Sequence, residues 1–135
     1  MGEPAGIGGE IALKAWALRA RRKLPPFFII GDPGWLAAID QNIPLREITA
    51  PAEAAKCFKT ALPVLPLRLL APALAGKPDA RNAPCVLDAI RLGARLARSG
   101  EASALVTNPI EKAVLYGACF AHPGHTEFLA ELTGA

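Results

Sequence analysis

The sequence predicts an α/β protein in which helices alternate with short buried strands. Two pairs of segments support this class. A helical apolar pattern over residues 7–18 precedes the apolar run Phe27–Ile30, which a Gly-Asp-Pro turn ends. A stronger helical pattern over residues 86–97 precedes a second apolar run, Ala104–Thr107. Helix, strand and turn in this order are typical of βαβ units and of a parallel sheet.

Length and composition indicate one globular region over residues 1–135. Hydrophobic residues make up 52% of the chain and charged residues 20%. A chain of this length buries roughly two-thirds of its unfolded surface, which is enough for a core. These proportions exclude an intrinsically disordered protein. No apolar run reaches the roughly 18 residues of a membrane span, so we expect no membrane association.

Charge and cysteine usage indicate a cytoplasmic protein that does not bind nucleic acid. The formal net charge is +3, and much of the excess lies within residues 19–23. This basic cluster falls where the first helix should end, and cations there complement the helix dipole. We therefore interpret it as a helix terminus. The three cysteines form no C-x-x-C pair, which is typical of a reduced compartment.

The chain begins with a glycine-rich loop, Gly2–Gly9, that leads into the first predicted helix. The apolar stripe of this helix is predicted at Ile7, Ile11, Ala15 and Leu18. Backbone without Cβ atoms can approach a phosphate closely, so the loop is a candidate phosphate or substrate site, with a tight structural turn as the alternative. G-x-G-x-x-G does not fit, because Ile11 occupies the third glycine position, and a P-loop does not fit, because no G-K-[ST] follows. A buried strand normally precedes such a turn, and here only Met1 does, so we expect the chain to start inside the fold.

The middle of the chain is predicted to hold short elements. In order, they are a helix over Trp35–Asp40, a strand over Leu45–Thr49 and helical turns over Pro51–Lys59. Four prolines between Leu62 and Pro78 exclude a long regular element there. Since proline is tolerated mainly in edge strands, we predict an extended connector with an edge strand around Val64–Leu70.

Residues 102–135 hold two loop-to-helix junctions and both histidines. In the first junction, Asn108 suits an N-cap, Pro109 the first helical position and Glu111 the third, where its carboxylate closes a capping box. The second junction runs over His122–Glu127. A helix start directs unpaired backbone N–H groups forward, so two starts close in sequence predict an anion-binding wall.

His125 is the strongest candidate for a functional residue. The preceding Pro-Gly pair restrains the backbone and should place the imidazole and the Thr126 hydroxyl at the mouth of a helix. Lys112 lies one turn inside its helix and is either a phosphate ligand or a solvated lysine. We interpret His122 as a loop histidine, because the Pro-Gly pair prevents the helix that an H-x-x-H metal site would need.

Three segments carry a family resemblance. They are Met-Gly-Glu-Pro-Ala-Gly-Ile-Gly-Gly-Glu at residues 1–10, Val-Thr-Asn-Pro-Ile-Glu-Lys-Ala at 106–113, and Pro-Gly-His-Thr-Glu-Phe-Leu-Ala-Glu-Leu-Thr-Gly at 123–134. Together they resemble the 4-hydroxythreonine-4-phosphate dehydrogenase family of pyridoxal phosphate biosynthesis. The resemblance implies a homodimer with part of an isocitrate or isopropylmalate dehydrogenase-like three-layer α/β/α fold, incomplete at both ends.

The resemblance also implies a reaction. This is NAD-dependent oxidation of 4-phosphohydroxy-L-threonine followed by decarboxylation, assisted by a divalent metal such as Zn, Mg or Co. The family's substrate-binding His-Thr pair maps onto His125 and Thr126, while Asn108 and Lys112 are weaker candidates for a phosphate or substrate wall. Family members are much longer, and their metal-binding histidines follow the His-Thr pair. We therefore expect no metal ligand in this chain, no assignable catalytic or cofactor-binding residue, and no activity of the chain alone.

Two alternatives remain. A relative within the same family would oxidise a phosphorylated sugar acid, 4-phospho-threonate or 4-phospho-erythronate, and nothing in the sequence distinguishes an amino group from a hydroxyl on the substrate. The other alternative is a non-catalytic phosphate-binding module.

Overall fold

The computed structural model describes residues 1–135 and contains a three-stranded parallel sheet with helices around it. The helices are α1 (Gly8–Ala17), α2 (Pro33–Ile39), α3 (Ala54–Cys57), α4 (Ala83–Arg98), α5 (Lys112–Tyr116) and α6 (His125–Thr133). The strands are β1 (Ile29–Gly31), β2 (Leu45–Glu47) and β3 (Leu62–Pro66), and 3₁₀ turns lie at Pro51–Glu53 and Ala80–Asn82. The sheet order is β1-β3-β2 with both pairs parallel, which confirms the predicted α/β class. None of the helices combines the length and the apolar character needed to cross a membrane.

Helices cover both faces of the sheet and so form three layers. On one face, helices α1 to α3 pack on β3 through Leu13, Trp16, Trp35, Leu36, Phe58, Leu62 and Val64. On the other face, Ala89 and Leu96 of α4 pack on Ile30 of β1. The far side of α4 joins α5 and α6 in a separate cluster, Ala83, Val86, Leu87, Ile90, Leu115, Phe120 and Phe128. Helix α4 therefore connects the C-terminal segment to the sheet.

The strand predicted around Val64–Leu70 forms as β3, Leu62–Pro66, but the predicted edge position was wrong, because β3 is the central strand although it contains two prolines. In a parallel strand, alternate residues bond to opposite neighbours. Leu62 donates its N–H on the β2 side and Leu67 donates on the β1 side. The backbone nitrogen of Pro63 therefore points towards β1, but at a position before the first residue of β1. The backbone nitrogen of Pro66 points towards β2, but at a position beyond the last residue of β2. Neither missing N–H falls inside the paired region, so both prolines fit a central strand.

Helix α1 forms where it was predicted but buries a different stripe. The predicted stripe residues Ile7, Ile11 and Leu18 are exposed, and the buried residues are Gly8, Gly9, Ala12, Leu13 and Trp16. Trp16 decides which face of α1 is buried. Its indole Nε1 donates to the carbonyl of Phe58 at 2.9 Å, and its ring packs in the core. Periodicity located the helix, whereas a distant partner selected its buried face.

The strand predicted at Ala104–Thr107 was wrong. No strand pairs with this segment, and Val106 is 88% exposed. Leu105 instead packs against α4, where a Cβ atom on Gly93 would lie 2.7 Å from Leu105 Cδ1. An apolar run becomes a strand only when its backbone finds a partner, and the sheet is formed by β1 to β3 alone. The remaining predicted elements form with ends shifted by a few residues.

Candidate functional site

The candidate site lies at the N-terminus of α6, which begins at His125 after the extended residue Gly124. No side chain caps this helix start. Intrahelical pairing begins only with Phe128, whose N–H donates to the Gly124 carbonyl at 3.4 Å. The N–H groups of His125, Thr126 and Glu127 therefore have no partner within the helix, and the helix dipole adds partial positive charge in front of them. An anion placed there would meet free donors.

Lys112 lies beside this helix start, and His125 has an unused ring nitrogen there. A Cβ atom on Gly124 would be 3.8 Å from Lys112 Nζ. The Nε2 atom of His125 is buried and has no hydrogen-bond partner. Buried polar atoms without a partner are rare, and one beside a cation is suited to a ligand. We refer to Lys112, Gly124, His125 and Thr126 as the α6 site.

Electrostatics at the α6 site favour a neutral imidazole on His125. Burial, and secondarily the charge of Lys112, lowers the pKa of His125 from its ordinary value of 6.5. Glu127 is the opposing group, because its Oε2 would lie 3.5 Å from the same Cβ position on Gly124. From the sequence, Glu127 is interpreted as a cap or surface charge. Its approach to Gly124 places one carboxylate beside the donors that an anion would use.

The structure does not place Asn108 at the start of a helix, so the predicted capping box was wrong. Helix α5 begins at Lys112, and Glu111 is its N-cap, accepting an N–H of the first turn at 3.4 Å. The Pro109 carbonyl accepts the N–H of Glu3 at 2.9 Å instead of beginning the helix. Because the Glu111 carboxylate already occupies the start of α5, only the second of the two predicted helix starts is open to an anion.

Asn108 lies between two residues of the glycine-rich loop, away from the N-cap position predicted for it. A Cβ atom on Gly2 would be 2.8 Å from Asn108 Cβ, and one on Gly8 would be 2.9 Å from the same atom. Gly8 is the first residue of α1, so Asn108 lies at the N-terminus of α1. The four predicted site residues thus form two groups, with Lys112, His125 and Thr126 at α6 and Asn108 at α1.

His122 contacts residues of α6 and is not part of the α6 site. Its Nε2 is 3.1 Å from Glu131 Oε2, and its ring centroid lies 5.3 Å from that of Phe120 and 5.2 Å from that of Phe128. No group of three His, Cys, Asp or Glu side chains comes together in the structure. The residues of this chain therefore do not fit a metal centre on their own.

Comparison with known proteins gives the chain a family. A family model described as "Pyridoxal phosphate biosynthetic protein PdxA" matches residues 23–135. The chain belongs to this family. A 4-hydroxythreonine-4-phosphate dehydrogenase of Methylorubrum extorquens is 51% identical over 138 residues, which cover 98% of the chain and 39% of that protein. The enzyme of that name from Caulobacter vibrioides is 49% identical over 134 residues, covering 99% of the chain and 40% of its own length.

Solved structures of PdxA relatives have the same fold over this region. The 4-hydroxythreonine-4-phosphate dehydrogenase of Klebsiella pneumoniae superposes with a TM-score of 0.85 at 34% identity, covering 99% of this chain and 43% of that one. The Burkholderia phymatum enzyme gives 0.86 at 30% identity, covering 100% and 42%. These matches confirm the family resemblance and the fold. The chain spans about two-fifths of the length of the curated relatives, 39% and 40% in the two proteins above.

Proposed function

We propose that the polypeptide containing this chain oxidises 4-phosphohydroxy-L-threonine with NAD and then decarboxylates the product, in pyridoxal phosphate biosynthesis. The family and the names of the relatives support a dehydrogenase of this pathway. When bound in a complete enzyme, NAD accepts the hydride and a divalent metal (Zn, Mg or Co) polarises the reacting oxygen. This chain contributes one side of the substrate site and none of the metal centre.

One observation carries the assignment of that side of the site: the buried, unpartnered Nε2 of His125 lies at the open start of α6 beside Lys112. A phosphorylated substrate supplies what this arrangement lacks. Phosphate oxygens accept from the free N–H groups of α6 and pair with the Lys112 ammonium. The neutral imidazole then makes one hydrogen bond through Nε2, and the Thr126 hydroxyl makes another. These groups bind and orient the substrate before any chemical step.

The test uses the complete gene product and two variants, His125→Asn and Lys112→Met. Because each variant removes a substrate contact, we expect KM for 4-phosphohydroxy-L-threonine to rise about 10- to 100-fold, equivalent to about 1.4–2.7 kcal/mol. Lys56→Met is the matched control, since Lys56 is an exposed lysine in α3, and α3 lies outside the α4, α5 and α6 cluster. NADH formation would give KM and kcat. An unchanged KM in both variants would show that α6 does not contact the substrate.

The same assay decides between the substrates. Rates on 4-phospho-threonate and 4-phospho-erythronate would be compared with the rate on 4-phosphohydroxy-L-threonine. Higher kcat/KM on a sugar acid would assign the protein to the other activity. Phosphate binding without NADH formation from any of the three would indicate a non-catalytic module.

We further propose that the complete protein is a cytoplasmic homodimer. Cys57, Cys85 and Cys119 are all unpaired, which suits a reducing compartment. Light scattering coupled to size-exclusion chromatography would measure the mass of the assembly, and a monomeric mass would contradict the dimer.

A further inference from the structure

The glycine-rich loop packs tightly between two parts of the chain. On one side lies α2, where a Cβ atom on Gly9 would be 2.5 Å from Ile39 Cδ1 and 2.7 Å from Trp35 Cζ2. The indole Nε1 of Trp35 also donates to the Pro4 carbonyl at 3.0 Å. Since real Cβ atoms essentially never approach so closely, this side of the loop requires glycine for packing.

On its other side, the loop receives Asn108 and Pro109. A Cβ atom on Gly2 would overlap the carbonyl oxygen of Pro109, and the neighbouring Glu3 N–H donates to that same oxygen at 2.9 Å. A Cβ atom on Gly8 would meet three atoms of one side chain, Asn108 Cβ at 2.9 Å, Cγ at 3.2 Å and Nδ2 at 3.3 Å. Two glycines thus form a seat for the residues that lead into α5.

The charges of the loop argue against phosphate binding there. Glu3 is only 8% exposed, and its carboxylate accepts the N–H of Ala5 at 2.9 Å. Glu10 adds a second carboxylate in the first turn of α1. Lys14 pairs with Glu10 at 2.6 Å, whereas the buried Glu3 carboxylate would repel an anion brought into the loop. The glycines therefore serve close packing.

We infer that Gly2 and Gly8 are positioning residues, which hold the Asn108–Pro109 segment so that α5 delivers Lys112 to the α6 site. Three residues separate Asn108 from Lys112, so a displacement of the seat is carried into the start of α5. The functional half of this inference rests on the proposed function, whereas the seat itself does not. The glycine-rich loop then acts on the substrate through α5 and touches neither phosphate nor cofactor.

A double-mutant cycle in the complete gene product tests the inference. Gly8→Ala introduces the clash with Asn108, and Asn108→Gly removes all three clashing atoms. We expect Gly8→Ala to raise KM for the phosphorylated substrate about 10-fold, or about 1.4 kcal/mol, in the wild-type background. In the Asn108→Gly background the same substitution should change KM less than about twofold, whatever Asn108→Gly does alone. Gly117→Ala is the control, since its Cβ atom would meet only the Val114 carbonyl, at 3.5 Å.

Hydrogen exchange provides a second measurement that needs no substrate. Amides of residues 110–117 should exchange about 10-fold faster in Gly8→Ala, and this difference should vanish in the Asn108→Gly background. Faster exchange confined to residues 1–17 would overturn the inference, as would an equal KM effect in both backgrounds. If Gly8→Ala does not fold, the double variant should fold, and equal loss of folding in both would also overturn it. A wild-type protein that fails to oxidise the substrate would refute the proposed function while exchange still tests the seat.

Discussion

Replacing Asn82 with alanine should remove a large part of the stability of this fold. Asn82 is 2% exposed and lies immediately before α4. Its Oδ1 accepts the N–H groups of Leu70 at 3.0 Å and Ala71 at 2.9 Å, and its Nδ2 donates to the Ala71 carbonyl at 3.0 Å. One amide therefore ties the proline-rich connector to the start of the longest helix.

The magnitude follows from which groups lose their partners. A buried polar group left without a hydrogen bond costs about 1–3 kcal/mol, and an exposed one costs less because water replaces the partner. Ala71 is buried, so its N–H and carbonyl both carry the larger cost, whereas Leu70 is exposed. We expect Asn82→Ala to lower the free energy of unfolding by about 3–5 kcal/mol in total.

Urea unfolding of the complete gene product, followed by circular dichroism, would measure this loss. Asn42→Ala is the control, because the exposed Asn42 side chain bonds only to Asp40, at 3.1 Å, and should cost less than about 0.5 kcal/mol. Asn82→Asp adds a second test, since the carboxylate keeps both acceptor contacts but opposes the Ala71 carbonyl. This second variant should therefore recover stability as the pH falls and the new carboxyl becomes a donor. A loss below about 1 kcal/mol for Asn82→Ala would refute the expectation that the Ala71 groups are left without partners.

The remaining predictions concern the α6 site and the core. The lowered pKa of His125 means that the unfolded chain binds more protons, so stability should fall as the pH drops from 6.5 through the folded-state pKa. Lys112→Met should raise the pKa of His125 towards its ordinary value without restoring it fully, because the imidazole stays buried. An NMR titration would measure this pKa, and a lower pKa in the variant would contradict the prediction. Glu127→Gln should strengthen binding of inorganic phosphate about 3- to 10-fold, because it removes the negative charge near Gly124. Calorimetry would measure the affinity, and weaker binding would show that the Glu127 carboxylate organises the site. Trp16→Phe should cost about 1–3 kcal/mol, because the Phe58 carbonyl loses a buried donor, and a change near zero in urea unfolding would show that water replaces the indole.

Local sequence patterns predicted what depends on neighbouring residues. Spacing predicted that helices form at α1 and α4, and the Pro-Gly pair predicted that His125 lies at a helix start, as the structure has it. Whether His125 and Thr126 bind substrate stays a prediction. The α/β class followed from the order of these patterns, because helix, strand and turn recur in a parallel sheet.

Contacts with residues far away in the sequence determine the features that local sequence patterns did not predict. The buried face of α1 follows from the bond between Trp16 and Phe58, 42 residues away. Asn108 is held by Gly2 and Gly8, about a hundred residues earlier, so its capping signal was overridden. The prolines of β3 were misjudged because the hydrogen-bonding side of each residue depends on the register with two other strands. No local signal contained this information.

The hydrogen bond between the Glu3 N–H and the Pro109 carbonyl can form only after residue 109 has been synthesised. Glu3 leaves the ribosome about a hundred residues before its partner Pro109. At about 5–20 residues per second, the first segment waits roughly 5–20 seconds for that partner. The β1–β3 sheet, whose strands lie within residues 29–66, can pair during this interval. Translation speed through residues 67–109 therefore sets how long the seat formed by Gly2 and Gly8 stays empty of the Asn108–Pro109 segment.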